Sequence, residues 1–296
     1  MGTDALKAYY LAAGAIDRAL LWIQWGNAGA TFPHSEKRYY EAPSPIIPMS
    51  FPEGDAVVEL IPELSKLNIN TASPEDLTRL IAAAGAPQQA ASIAAAIVDW
   101  RSAPPEGSIT EFDAHYLSLQ PSFRSAHASF QEIEELLLVQ GMTPELFYGG
   151  YTHGATGRTA PYGGLRDCLS VYGGNGPFDI NTVRPQLMLA IGLSPEAVAQ
   201  ILARRRAGVI KSVSDLGPLA DNEAMSRLNV SDVNTGTIWT LRATARTRLP
   251  DGSLSRVQHS VAATIKFFAP NAANPPWHVL RWYDDAPRLD GGPVVQ

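Results

Sequence analysis

The chain has 296 residues, 45% of them hydrophobic, with 23 basic against 29 acidic side chains and a net charge of -6. That length and apolar content support one large core or two modest ones and exclude a disordered or fibrous chain. The acidic balance argues against nucleic-acid binding, which needs a surplus of Lys and Arg at phosphates; the single Cys168 forms no internal disulfide and no thiolate cluster, and is given no role.

In chain order, residues 4–25 read as an apolar-rich helix. Leu6, Tyr9, Tyr10, Leu11, Ala13, Ile16, Leu20 and Ile23 spread over a wide arc. This is more apolar surface than one sheet face covers, so the later half is expected on a sheet and the upstream end toward partners. The helical pattern is already under way after Met1-Gly2-Thr3, which fits a chain trimmed of an upstream segment as well as a natural start. No stretch reaches the apolar length of a bilayer span, and no signal peptide is visible.

After a linker at 26–45, residues 46–51 and 56–61 predict two strands around the turn Pro52-Glu53-Gly54-Asp55. A phrase then occurs twice, as Leu67-Asn68-Ile69-Asn70-Thr71 and as Phe178-Asp179-Ile180-Asn181-Thr182, with Pro74 or Pro185 following. Asn and Thr cap helices and Pro suits a first turn, so both copies announce a helix start. Leu77, Leu80 and Ile81 precede a break at Gly85, and Ile93 and Ile97 lead on to Trp100-Arg101. Leu187, Met188 and Ile191 precede Gly192, and Val198, Ile201 and Leu202 lead on to Arg204-Arg205-Arg206. Two helical hairpins, an internal duplication, are the expected result.

A further helix is expected over 130–140, its Glu132, Glu134 and Glu135 favouring the dipole at the start. Residues 149–177, rich in Gly and Tyr, read as a long irregular loop. Strands follow at 237–249 and 255–268 around Pro250-Asp251-Gly252, then a tail over 270–296 anchored by Trp277, Trp282 and Tyr283. Two strands before the helical block and two after it make one antiparallel sheet, so the fold class is α+β with the helices as an excursion from the sheet.

Nothing in the sequence points to an enzyme. The six histidines are scattered without zinc spacing, Gly163-Gly164 and Gly173-Gly174 lack the ending of a phosphate loop, and no Gly-x-Ser-x-Gly elbow occurs.

Several motifs agree on one resemblance. Lys66-Leu67-Asn68-Ile69-Asn70-Thr71-Ala72-Ser73, Ile97-Val98-Asp99-Trp100-Arg101, the run from Glu134 to Phe147, Asp179-Ile180-Asn181-Thr182 and the early Tyr9-Tyr10-Leu11-Ala12-Ala13-Gly14 span nearly the whole chain. Together they resemble the K-type minor pseudopilins of the type II (general) secretion pathway. The resemblance implies a pilin-like N-terminal helix on a small antiparallel sheet, with a large all-α domain of two helix-hairpin-helix-like repeats inserted between strands. The boundaries expected are 1–66 for the helix and first strands, 67–230 for the insertion and 231–296 for the completing strands and tail.

The implied function is assembly at the pseudopilus tip with the I-type and J-type minor pseudopilins, with contacts to secreted cargo and to the outer-membrane secretin, and no enzymatic activity. The implied location is the bacterial inner membrane and periplasm, with anchoring by a hydrophobic segment missing from this sequence. The N-terminal residues Leu6, Tyr9, Tyr10, Leu11, Ala13 and Ile16 are the expected partner-binding set. Some family members hold calcium; here the weak candidates are Asp99, Glu111 and Asp113, because the run after Asp99-Trp100-Arg101 is Ser102-Ala103-Pro104-Pro105-Glu106 and lacks further aspartates. The rival reading is a helix-hairpin-helix nucleic-acid module. It is opposed by the turns Gly85-Ala86-Pro87 and Gly192-Leu193-Ser194, each missing a second Gly, with Pro87 also lacking an amide donor. Arg204-Arg205-Arg206 is expected as a solvated face.

Overall fold

The computed structural model describes residues 3–104, 108–153, 159–221, 223–231, 238–268 and 275–286. Its first elements are α1 (Thr3–Asn27), β1 (Ile46–Phe51), β2 (Gly54–Pro62), β3 (Leu67–Asn68), α2 (Pro74–Ala83), α3 (Ala90–Arg101) and α4 (Glu111–Leu117). They are followed by α5 (Pro144–Tyr148), β4 (Gly149–His153), β5 (Thr159–Gly163), β6 (Leu169–Ser170), β7 (Phe178–Asp179), α6 (Pro185–Ala190) and α7 (Pro195–Ala207). The last are β8 (Leu228–Asn229), β9 (Ile238–Arg248), β10 (Leu254–Phe267) and β11 (Trp277–Tyr283).

Two compact units result. One comprises Met1–Glu63, Ala207–Lys211 and Val230–Gln296, the other Leu64–Arg206 and Ser212–Asn229. The divisions fall after Glu63 and Asn229, and the short stretch Ala207–Lys211 goes with the first unit.

The first unit is a helix laid on a sheet of order β1-β2-β9-β10-β11 with every pairing antiparallel. Alternation along the strands divides the sheet faces. Ala56, Val58 and Leu60 of β2, Leu241, Ala243 and Ala245 of β9, and Val261, Ala263 and Ile265 of β10 meet Ala12, Ala15, Ile16, Ala19, Leu20 and Ile23 of α1. The alanines on both sides let the helix approach closely, and each buried Ile or Leu adds roughly 1.5–3 kcal/mol. At the end of α1, a Cβ on Gly26 would lie 2.5 Å from the Tyr40 carbonyl oxygen, so only glycine fits there.

The other sheet face is stitched by direct cross-strand partners. Arg242 Nε donates to Glu59 at 2.9 Å, and hydroxyl pairs join Thr240 to Thr264 and Thr244 to Ser260. The sheet has five strands where four were expected. Trp277, Trp282 and Tyr283, read as tail anchors, lie in β11, which pairs with β10 across a bulge. Residues 270–274 and 287–296 of the expected tail, with Ala269, Thr237, Met1 and Gly2, lie outside the described residues.

The second unit contains both helical hairpins, α2 with α3 and α6 with α7. The twice-written phrase has a different role from the one expected. Leu67–Asn68 pairs in parallel with Leu169–Ser170, and Phe178–Asp179 with Leu228–Asn229. Each phrase is therefore a short strand and turn, and the helix begins later. Ser73 caps α2 by accepting from the Asp76 amide, whereas Arg184 precedes α6 without a side-chain cap. Asn68 Oδ1 instead accepts from the Asn70 amide, and the Asn70 side chain makes a two-way clamp with Phe130, accepting from its N–H at 2.7 Å and donating to its C=O at 3.0 Å.

That clamp explains a second correction. The segment expected as an α-helix over 130–140 is a 3-10 helix limited to Ile133–Leu138. Phe130 is held by Asn70, and Glu135 reaches back to the amides of Gln131 and Glu132, so helical winding starts only afterwards. The expected loop 149–177 is also partly ordered into β-structure. β4 and β5 form a hairpin, a 3-10 turn spans Leu165–Asp167 and β6 follows, while 154–158 lie outside the described residues.

Candidate partner-binding helix and carboxylate cluster

Helix α1 carries two apolar faces. Ala8, Ala12, Ala15, Ile16, Ala19, Leu20 and Ile23 are buried, recurring three or four residues apart as a core-facing stripe does. Leu6, Tyr10, Leu21 and Trp25 are exposed, Tyr10 by 66%. At 3.6 residues per turn these four fall within an arc of about 100° on the side away from the sheet. Of the six residues expected to meet partners, Leu6 and Tyr10 stand exposed, while Tyr9, Leu11 and Ala13 are half-buried. Ile16 is 1% exposed and belongs to the core, because its position matches the stripe of Ala12, Ala15 and Ala19. Tyr9 is tied down as well. Its hydroxyl donates to Asp284 Oδ1 at 2.8 Å, where Trp282 Nε1 also donates, and that hydrogen bond raises the Tyr9 pKa.

The three metal candidates do not come together as a donor set. Among the described residues no three His, Cys, Asp or Glu side chains group as a metal site. Glu111 lies exposed in the first turn of α4. Asp113 forms a capping box with Thr110, and its Oδ1 accepts from the Ser125 amide. Asp99 Oδ2 accepts from the hydroxyls of Thr110 and Ser125. Arg101, near Asp99 in sequence, is engaged elsewhere, with the carbonyl oxygens of Ile69 and Ala72. The cation beside them is His127, whose Nε2 lies 2.9 Å from Asp113 Oδ2 and whose Nδ1 lies 2.9 Å from the Ser102 carbonyl oxygen. Both neighbours only accept, so both ring nitrogens must carry protons and the ring is an imidazolium. No sequence spacing signals this cluster.

Burial alone would lower the His127 pKa, but the Asp113 hydrogen bond, the Ser102 carbonyl and the Asp113 and Asp99 charges outweigh it and raise the value. Burial would raise the Asp113 pKa, and its bonds from His127, Ser125 and Thr110 outweigh that and lower it. The raised His127 value gives stability that is complete below an unfolded pKa of about 6.5 and lost as pH climbs through the folded value. The lowered Asp113 value gives stability present above an unfolded pKa of about 3.9 and lost as pH falls through the folded value. The expected melting temperature therefore carries a maximum between roughly pH 4 and 6.5 that His127→Gln flattens on its alkaline side. An unchanged profile in the variant rules out the imidazolium. Calcium added in the same thermal scans is expected to leave the midpoint unmoved.

Arg101 and Arg205, the latter expected on a solvated face, serve as equivalent clamps. Arg101 Nη1 and Nη2 donate to the carbonyl oxygens of Ile69 and Ala72, each at 2.5 Å. Arg205 Nε and Nη1 donate to those of Ile180 and Val183, at 2.6 and 2.9 Å. The guanidinium at the end of each hairpin thus holds the turn that follows the short strand. Burial lowers the Arg205 pKa to about 10. The correction to the expected solvated face is physical. Arg205 is on the inward side of α7, and its planar fork matches two carbonyls of the Ile180 turn.

This arrangement also opposes phosphate capture. The Gly85 and Ala86 amides donate to Ala82 and Ile81, and the Gly192 and Leu193 amides to Leu189 and Met188. The donors a phosphate would need are used inside the hairpins, and the central arginine of the basic run is turned inward. Cys168 is buried, its thiol pushed up to about 12 by desolvation, so it is no nucleophile at neutral pH. Among the described residues no helix is long and apolar enough to cross a membrane.

Comparison with known proteins places these features. No curated protein aligns significantly with the sequence. The fold is similar to that of a chain in the crystal structure of the GspK-GspI-GspJ complex from the enterotoxigenic Escherichia coli Type 2 Secretion System, with a TM-score of 0.56 and 19% identity over 94% of this chain and 95% of that one. Residues 59–148 match the family model described as Type II secretion system (T2SS), protein K. That segment runs from the end of β2 through the first hairpin and the His127 cluster to α5, and over it the chain is similar to the protein K family of type II secretion systems.

Proposed function

We propose that this chain is a minor pseudopilin that caps the tip of the type II secretion pseudopilus. In this role it assembles with the I-type and J-type minor pseudopilins, initiates the fibre and supports export of folded proteins across the outer membrane. Its place of work is the inner membrane and periplasm, and it performs no enzymatic reaction. The unit from Leu64 onward is the helical domain inserted into a pilin-like helix and sheet, and its bulk ends the fibre.

The observation that carries this reading is the second apolar face of α1. A helix that has already filled its sheet with Ile16, Leu20 and Ile23 still presents Leu6, Tyr10, Leu21 and Trp25 outward. Aromatic and aliphatic residues in one exposed row are the composition of an interface core. The solved structure with the similar fold is a complex with GspI and GspJ, and this supports subunits of those two types as what such a row would meet.

Size-exclusion chromatography with light scattering, on this chain mixed with the soluble I-type and J-type subunits of its own system, tests the proposal. A defined 1:1:1 species is expected. Leu6→Asp combined with Tyr10→Asp should weaken it at least tenfold while leaving the fold intact, since both side chains are exposed. Failure to form any complex, joined by salt-sensitive retention of a DNA duplex, would return the paired hairpins to the nucleic-acid reading.

A further inference from the structure

The helical unit contains a cavity of about 640 Å³ within its own fold, apart from helix α1. It opens beside the Gly85 turn, where nothing lies within 4 Å of a Cβ position. Its chemistry is unusual for a protein docking surface. Three amide side chains, Gln88, Gln89 and Gln186, line it together with two tyrosines, Tyr151 of β4 and Tyr162 of β5. Ala83, Ala84 and Ala86 around the end of α2, with Thr143 and Leu146 at α5, complete the lining, and among the described residues Glu145 is its one charged side chain.

Parts of this lining are fixed in place. Gln186 Nε2 donates to the Gly163 carbonyl at 3.1 Å, which leaves its carbonyl oxygen to accept. Tyr162 lies across Gly150, where an added Cβ would sit 3.1 Å from its hydroxyl, so glycine there allows the ring to settle on the hairpin. Tyr151 is 64% exposed and offers its ring to a ligand.

We propose that this cavity binds a neutral oligosaccharide bearing acetamido groups. Each glutamine carries both a carbonyl acceptor and an NH2 donor, the pair that matches an acetamide group and adjacent sugar hydroxyls. An aromatic ring presents a negative face to the weakly positive C–H bonds of a pyranose, as it does to other positive edges. With no basic side chain among the described residues of the lining, an anionic ligand finds no counter-charge there. A peptide gains its affinity from deep apolar anchors or from an open strand edge, and here the Ala and Gly residues beside the Gly85 turn and the largely buried Leu146 form no anchor pocket.

The test uses the whole chain and two trisaccharides, one of N-acetylglucosamine and one of glucose, in ligand-observed NMR and calorimetric titrations. The acetamido trisaccharide is expected to bind saturably. Tyr151→Ala and the Gln88→Ala, Gln89→Ala double variant should each weaken it at least tenfold, whereas Tyr151→Phe, which keeps the ring, should bind within twofold of the parent. Assembly with the I-type and J-type subunits should be unchanged in all three variants, which separates this site from the α1 interface. Absence of saturation at about 10 mM, binding retained in Tyr151→Ala, equal binding of the glucose trisaccharide, or competition by an unrelated polar peptide each overturns the proposal.

Discussion

Arg205→Ala is expected to destabilise the helical unit by about 2–4 kcal/mol, a large share of the 5–15 kcal/mol that holds a typical domain together. The side chain bonds the carbonyl oxygens of Ile180 and Val183 in the interior, and truncation leaves both without their donors. Each orphaned buried acceptor costs about 1–3 kcal/mol. Part of that is returned because the charge itself is desolvated, as its lowered pKa records. The carbonyl loss is expected to be the larger effect, because the turn bearing those carbonyls follows directly on the Phe178–Leu228 pairing, which limits its freedom to find other donors.

Arg101→Ala acts on the first copy through the same geometry, and its cost is expected to be smaller. Arg101 is less strongly desolvated than Arg205, so water can replace its bonds to Ile69 and Ala72. Lysine does not rescue Arg205, because one ammonium cannot reproduce two donors in a planar fork. Hydrogen exchange read by mass spectrometry checks this. Arg205→Ala and Arg205→Lys should both lose protection over 178–206, and Arg204→Ala, a neighbour on the same helix, should not. Equal protection in all three would mean that the helix end is held by packing alone.

These clamps also show where the sequence could be read and where it could not. The hairpins were visible because Leu77, Leu80, Ile81 and their counterparts Leu187, Met188 and Ile191 keep helical spacing on one side of a glycine. Gly85 and Gly192 indeed adopt φ of +109° and +103°, where other residues are strained. The Asn-Ile-Asn and Asp-Ile-Asn phrases were misread because the side-chain oxygens that suit a helix cap also close a turn on themselves or reach a distant backbone. Asn70 does the latter, to Phe130.

The arginine clamps escaped notice because their offsets differ. Arg101 stands 32 residues after Ile69 and Arg205 25 after Ile180, so the duplication does not align them. Strand β11 was hidden between prolines and next to an acidic end, and its identity comes from pairing with β10, a non-local contact that no window of sequence contains. His127 is further out of reach. It joins Asp113, Asp99 and Ser102 from a loop, in a left-handed backbone conformation with φ of +46°, and only the folded chain brings those groups around it.

Helix α1 provides the sharpest separation of folding from assembly. Ile16→Asp is expected to destabilise the helix-and-sheet unit by at least about 4 kcal/mol. The loss of a buried isoleucine side chain accounts for about 2–5 kcal/mol, and the carboxyl group then sits among alanines and leucines with no donor to meet it. Burial would drive the new carboxyl to its neutral form, which limits the electrostatic cost without restoring the packing. Ile16→Val removes one methylene and should cost only about 0.5–1.5 kcal/mol.

Near-ultraviolet circular dichroism distinguishes the cases, because Trp239 lies in the same core and reports its packing. Ile16→Asp should lose that signal and the cooperative transition, and the Leu6→Asp, Tyr10→Asp variant should keep both while failing to assemble. A folded Ile16→Asp protein with only its assembly impaired would place this residue on the outer face and reverse the assignment of the two stripes. The helix would then have turned its alanines, and not its tyrosine and tryptophan, toward the rest of the fibre.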